Sequence, residues 1–349
     1  MDSCEAHADV LVEKKAILAL GGGIRLPEGY EVPFRVSRST AGPGAGFSSI
    51  AVGFGGLRVK KSISYDSGEF ELVVNSDGSL SLTRRGEPFL DRIELQPVVR
   101  HCPGQAFFNL DPRCDNRCLF CSSPYLDPKD VKNLDSDKII RMLEESLADY
   151  SFNAVSFTSG VIDGTDKTIV RLADVIGKVR GAHPDLRIGV EPYVESEGQI
   201  QALKDAGADE IKLNLQCATD GLFGIVCPDL DRGNIWRMLE ASVRIFGKGN
   251  VVSNVIYGFG ETDDQLMEVT ERLCYIGVIP GLRALRINGY NRASLERAFP
   301  GLVPVQPSRM VYVARRQKEI MSRYGLDSRT SGTMCLECGC CDIVPFKDV

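Results

Sequence analysis

Apolar and polar positions change their rhythm once along this chain, near residue 105. A polar lead, residues 1–15, has helical character, and the stretch after it reads as strands. Residues 47–66, FSSIAVGFGGLRVKKSISYD, are rich in glycine and β-branched side chains. Residues 70–86, FELVVNSDGSLSLTRRG, alternate apolar and polar about Asn75-Ser76-Asp77-Gly78, a hairpin signal. Residues 1–105 are therefore expected to form a small antiparallel β domain.

From residue 106 short apolar runs alternate with amphipathic ones. Strands are expected at 106–110, 153–158, 186–190, 210–215, 251–257 and 282–287. Helical periodicity fills the gaps, in DKIIRMLEESLADY, KTIVRLADVIGKVRGA, QIQALKDAGA, NIWRMLEASVRIFG and TDDQLMEVTERLCYIG. Strand–helix repeats joined by right-handed crossovers predict a parallel sheet curled into a partial (β/α)6 barrel over 106–290. Ligand-binding loops would then lie at the C-terminal ends of its strands. Residues 291–349 add a polar helix, SRMVYVARRQKEIMSRYG, and a cysteine-rich tail.

Composition narrows the class. With 43% hydrophobic and 25% charged residues, the 349-residue chain is globular. A net charge of -6 and the lack of any basic run argue against nucleic acid. No apolar run is long enough to span a membrane, and the first residues do not read as a secretory signal, so the expected location is the cytoplasm. Gly42-Pro43-Gly44-Ala45-Gly46 lacks the strand-to-helix setting of a dinucleotide loop and reads as a glycine-rich turn.

The twelve cysteines carry the chemistry, because they cluster at ligand spacing. Cys114, Cys118 and Cys121 stand at x3 then x2 spacing directly after the first barrel strand. Three thiolates can hold three irons of a cubane and leave the fourth open to a ligand. A zinc site would want a fourth partner, and the nearest candidates, His101 and Cys102, precede that strand. Cys335, Cys338, Cys340 and Cys341 form a second group, with Gly339 permitting a tight bend. Zinc, a single iron and an auxiliary Fe–S cluster all suit it; a redox pair or a reactive tail would need no metal. Cys217 and Cys227, after the fourth strand, could face the barrel mouth, whereas Cys274 fits a helix core.

CxxxCxxC after a first strand, with Phe120 before the last cysteine, resembles the radical S-adenosylmethionine (SAM) superfamily. The resemblance, over about 105–290, implies a [4Fe–4S] cluster whose open iron chelates SAM. It also implies one-electron cleavage of SAM to methionine and a 5′-deoxyadenosyl radical. Asn254-Val255-Ile256-Tyr257-Gly258-Phe259-Gly260-Glu261 resembles the family's GxIxGxxE phrase, with asparagine for the first glycine. It implies that Ile256 backs the adenine while Gly258 and Glu261 shape the turn beneath. Ser159 and Gly160 stand where the family often has GGE, without the glutamate. Glu191 and Gln216 stand where polar residues often meet the ribose or carboxylate of SAM, or are ordinary loop residues.

The overall plan resembles, within that superfamily, archaeal enzymes that modify methyl-coenzyme M reductase, in particular the cobalamin-dependent glutamine Cα-methyltransferase. That resemblance implies hydrogen abstraction from an sp3 carbon, methylation through cobalamin, a protein partner (the reductase alpha subunit), and an electron donor such as ferredoxin or flavodoxin. No DxHxxG cobalamin motif is present, so any cobalamin would sit over the barrel mouth under the C-terminal segment. A biotin-synthase-like enzyme acting on a small molecule in cofactor biosynthesis is the alternative; a non-catalytic scaffold would not cleave SAM. The front β domain is either a partner-binding surface, through strand addition, or a cap.

Overall fold

The computed structural model describes residues 3–38, 47–98, 103–126 and 134–349. His101, Cys102 and the Gly42–Gly46 turn lie outside these residues, as does the side chain of Cys4. Helix α1 (Ser3–Leu20) leads into β1 (Ile24–Arg25), β2 (Ser37–Arg38), β3 (Ser48–Phe54), β4 (Leu57–Ser64), β5 (Phe70–Val74), β6 (Leu80–Arg84) and β7 (Glu87–Gln96). Their order is β2-β3-β4-β1-β5-β6-β7, and β3 also pairs with β7, so the sheet closes on itself. The expected hairpin is β5–β6, turning at Asn75–Gly78, where Gly78 takes φ 81°. Pairing is antiparallel except at β1, which runs parallel to both β4 and β5. The chain comes off α1 and slots Ile24 between Ile63 and Phe70, filling the gap between two hairpins. Phe70, Ile50, Val52, Val59 and Leu82 form the core of this small barrel.

The second sheet holds β8 (Ala106–Asn109), β9 (Ala154–Thr158), β10 (Arg187–Glu191), β11 (Glu210–Lys212), β12 (Val251–Tyr257) and β13 (Ile279–Ala284). All its pairs are parallel and the strands follow in sequence, from β8 at one edge to β13 at the other. The edges do not pair, which makes it an open, partial barrel as expected. Its helices are α2 (Ser136–Asp149), α3 (Thr165–Ala182), α4 (Glu197–Asp205), α5 (Asp220–Val226), α6 (Arg232–Phe246) and α7 (Asp263–Tyr275). Side-chain caps at Asp135, Thr219, Asp231 and Thr262 fix where four of them begin. After α8 (Arg292–Ala298), helix α9 (Pro307–Arg323) packs against α1, α7 and β13, and α10 (Met334–Cys338) opens the cysteine tail. No described helix is long and apolar enough to cross a membrane.

The tail lies where no periodicity could place it, in the seam between β8 and β13. It enters at the strands' N-terminal end. There the buried Glu210 carboxylate accepts from Ser331 Oγ at 2.8 Å, Gly332 N at 2.8 Å and Thr333 Oγ1 at 2.6 Å, and pairs with Arg187 at 2.6 Å. Buried Gln105 grips the Met334 backbone at both its N–H (2.8 Å) and its C=O (2.7 Å). A Cβ on Gly189 of β10 would stand 2.4 Å from Thr333 Oγ1, so only glycine admits the tail there. The tail leaves beside β13, where Asp342 accepts from Ala284 N at 3.1 Å and pairs with Arg283 at 3.1 Å. The C-terminal segment thus enters at the barrel floor and rises to the C-terminal end of β13, where Asp342 meets Ala284 and Cys341 O meets Arg286. Glu210 and Gln105 hold only its start, residues 331–334, at the floor, and Arg283 holds Asp342 further up the wall.

Candidate active site

The loop after β8 is built by its backbone. Leu110 N–H donates to Thr158 O, and Gly160 N–H donates to Asp111 O at 2.7 Å. A Cβ on Gly160 would fall 1.8 Å from Arg113 O, so glycine alone lets β9 end so close to the loop. The side chain of Asp111, 1% exposed, accepts from Arg113 N, Nε and Nη2. Burial opposes the Asp111 charge, but the Arg113 hydrogen bonds prevail and hold its carboxyl below the usual range. Further on, Asp115 N–H donates to Val161 O, Leu119 N–H to Val226 O, and Arg117 grips Asp229. Asn291 Nδ2 donates to Phe120 O at 3.0 Å. Three separate segments, around residues 158–161, 226–229 and 291, thus fix one loop.

That loop sets Cys114, Cys118 and Cys121 into the wall of a cavity of about 460 Å3 at the C-terminal ends of the strands. Val161 N–H points at Cys114 Sγ and Ser123 N–H at Cys121 Sγ, each at 3.4 Å. Backbone donors of this kind suit thiolate sulfur. Burial pushes the Cys114 and Cys121 thiols up, while a hydrogen bond with Cys227 draws Cys118 down. No three cysteine, histidine or acidic groups among the described residues converge on a single-ion site. Thiolates that ligate different irons of a cubane need no common point. The donor set, the N–H···S contacts and the open cavity beside them fit a [4Fe–4S] cluster held by these three cysteines.

Phe120, Ser159, Gly160, Glu191, Gln216 and Ile256 line the same cavity. Gln216 takes φ 67° and bridges to Val255, a left-handed conformation rare for a side chain of that size. Glu191 is not a free loop carboxylate: it pairs with Lys212 at 2.7 Å and accepts from Asn214 at 2.6 Å. Gly258 and Glu261 stand outside the cavity, shaping the turn from β12 to α7. Glu261 is buried and accepts from Gly258 N at 2.7 Å, Phe259 N at 3.0 Å and Arg309 at 2.9 Å. Gly258 has φ 110°, and a Cβ there would meet Val305 at 2.6 Å. Cys217 and Cys227 are buried instead of facing the mouth, with Cys227 hydrogen-bonded to both Cys118 and Cys217. Cys274 is a core residue, as expected. Cys335, Cys338, Cys340 and Cys341 face the cavity that holds the first three cysteines.

Sequence reasoning missed Asn109, Lys212, Asn214, Arg283 and Arg286, all of which line the cavity. A signal for two of them was present. In β11 and just beyond, Glu210, Lys212 and Asn214 alternate with Ile211, Leu213 and Leu215, so the polar side faces the lumen and the apolar side the helices. Asn109 Oδ1, Arg283 Nη2 and Arg286 Nε are buried without hydrogen-bond partners, so the cavity wall holds both an acceptor and donors for a bound ligand.

Residues 108–273 match the radical SAM superfamily. Biotin synthase 2 of Frankia casuarinae is 33% identical over 105 residues, 30% of this chain and 28% of that protein. The tRNA-2-methylthio-N(6)-dimethylallyladenosine synthase of Syntrophomonas wolfei is 23% identical over 240 residues, 65% of this chain and 53% of that protein. The chain thus spans about half or less of the length of these curated relatives. The FeFe-hydrogenase maturase HydG of Carboxydothermus hydrogenoformans superposes with a TM-score of 0.52 at 16% identity, covering 69% of this chain and 58% of that one. That likeness shows a shared fold. With three cysteines at CxxxCxxC spacing on the loop after the first strand of a six-stranded partial barrel, residues 108–273 are a radical SAM domain.

Proposed function

We propose that this protein reductively cleaves SAM in the cavity at the C-terminal ends of strands β8 to β13 and uses the resulting radical to take hydrogen from an sp3 carbon. The observation that carries this reading is the loop of Cys114, Cys118 and Cys121, fixed by three segments in the wall of a cavity sized for one small ligand pair. When bound, the cluster supplies one electron to the SAM sulfonium, which breaks a C–S bond and yields methionine and a carbon radical.

The chain's own residues position and shield. Ser159 and Gly160 border the cysteine loop; Asn109 Oδ1 offers an acceptor to an ammonium group; Phe120 and Ile256 give apolar faces to a base. Both Glu191 oxygens are engaged by Lys212 and Asn214, so Glu191 orders the wall and is not a free base. The tail closes the seam that an open barrel leaves to solvent, which would protect a radical from water.

For the second half-reaction, the cavity volume favours a substrate no larger than a small molecule or one inserted side chain. The match to biotin synthase over 30% of the chain accords with a small molecule. Cobalamin-dependent methylation of a glutamine in methyl-coenzyme M reductase calls for a corrinoid beside SAM as well as the inserted side chain. Cobalt content of protein purified anaerobically from cobalamin-fed cells separates the two. Stoichiometric cobalt supports methyl transfer, and its absence with full iron supports the small-molecule reaction. The shared first step is tested by adding SAM to the reduced, reconstituted protein. A shifted electron paramagnetic resonance signal supports SAM at the cluster, and an unchanged one argues against it.

A further inference from the structure

The four tail cysteines pose a separate question, because nothing in SAM cleavage requires them. Their backbone is held with unusual completeness. The carbonyl of every residue from Glu337 to Cys341 is engaged by another part of the molecule. Arg58 donates to Glu337 O at 2.7 Å and Cys338 O at 2.8 Å, Lys15 to Gly339 O at 2.8 Å, Lys60 N–H to Cys340 O at 3.1 Å, and Arg286 to Cys341 O at 2.7 Å. Gly339 takes φ 62° to end α10, and its N–H donates to Cys335 O at 2.9 Å. With the backbone oriented outward, all four thiol-bearing residues line the cavity. Preorganisation of this order, from α1, β4 and the loop after β13, is what a ligand-holding loop needs and a loose tail does not.

Charge supplies a second, independent observation. Lys212 Nζ lies 3.3 Å from Cys335 Sγ. Arg283, whose buried Nη2 has no hydrogen-bond partner, lines the same cavity as Cys335 and Cys341. Arg286 joins them through Cys341 O. Against these cations stand the carboxylates Glu191 and Asp342. Buried cations in excess of carboxylates call for further negative charge, and the thiols are the acids in reach. A bound metal keeps such thiols deprotonated.

We propose that at least three of Cys335, Cys338, Cys340 and Cys341 hold a second, thiolate-ligated iron or zinc centre in the barrel seam, facing the Cys114–Cys121 loop across one cavity. Soft thiolate ligands select these metals over hard cations. Ligation requires side-chain rotation, since no three of these sulfurs yet share a point, and the same holds for Cys114, Cys118 and Cys121. Cys338 and Cys340, hydrogen-bonded to each other among Ala51, Val98, Phe107 and Met334, are the pair nearest to a rival disulfide.

The test removes the first site and asks what metal remains. The C114A/C118A/C121A protein, reconstituted anaerobically with iron and sulfide or with zinc alone, is assayed for iron, zinc and acid-labile sulfide. Stoichiometric metal that disappears on further C335A/C338A/C341A substitution is the expected result. Sulfide with the iron identifies a cluster, and its absence a single ion. If the tail variant fails to fold, differential alkylation of the first-site variant reads the same centre, with metal shielding the tail thiols. No metal in a folded C114A/C118A/C121A protein, with Cys338–Cys340 recovered as a disulfide, overturns the proposal. This outcome is separable from SAM cleavage: wild-type protein that cleaves SAM while the variant binds no metal leaves the first site intact and removes only the second.

Discussion

Single residues decide whether the cysteine loop can form. Gly160→Ala places a methyl group 1.8 Å from Arg113 O, a backbone atom that cannot swing aside. Overpacking of this kind costs about 1–3 kcal/mol. It is expected to lower iron loading and 5′-deoxyadenosine yield together; an alanine variant with full iron would show that the loop tolerates the shift. Glu261→Gln loses the charge and one of two backbone acceptors at the turn after β12. The loss is expected to be about 2 kcal/mol in urea unfolding, with the cavity residues untouched. Asp111 adds a pH dependence. Its folded pKa is depressed by Arg113, so its contribution is present above the unfolded value of about 3.9 and is lost as pH falls through the folded one. In metal-free protein, Asp111→Asn should flatten stability against pH below about 4; an unchanged slope would rule this contribution out.

At the scale of elements, periodicity placed the barrel well and short-range cues placed its edges poorly. Strand β12 falls at Val251–Tyr257 as expected, because four of its seven residues are β-branched and nothing in it breaks a strand. Strand β13 begins at Ile279, three residues before the expected start, since Pro280 and Gly281 resemble a turn until the neighbouring strand claims them. Helix α5 was not expected: Gly221 and Gly224 weaken its propensity, and the Thr219 cap with buried Phe223 and Val226 compensates. The cysteine loop was legible because its spacing is local. The cavity wall was not, because its charges come from separate strands. Lys212→Met leaves Glu191 without its cation and should cost about 3 kcal/mol, with part recovered in Glu191→Gln/Lys212→Met. Additive losses in that double-mutant cycle would mean that the pair is not coupled.

The whole molecule is a closed small barrel and an open larger one joined by a tail that belongs to both. Lys15 of α1 bonds Gly339 O and Asp348, Arg58 of β4 bonds the Cys338 carbonyl, and Glu210 of β11 anchors Ser331 and Thr333. Nothing in the tail's own text points to Glu210, which lies 121 residues away from Ser331. Removal of residues 331–349 would leave the buried Glu210 with Arg187 alone and open the seam to water. Rapid proteolysis near the β8 edge is the expected outcome. All these features frame one claim, that Cys114, Cys118 and Cys121 carry radical SAM chemistry. The direct measurement is 5′-deoxyadenosine formed from SAM by the anaerobically reconstituted, dithionite-reduced protein, beside its C114A, C118A and C121A variants. The account predicts product from the wild-type chain and none above background from any variant; no product from an iron-replete wild type, or undiminished product from all three variants, would contradict it.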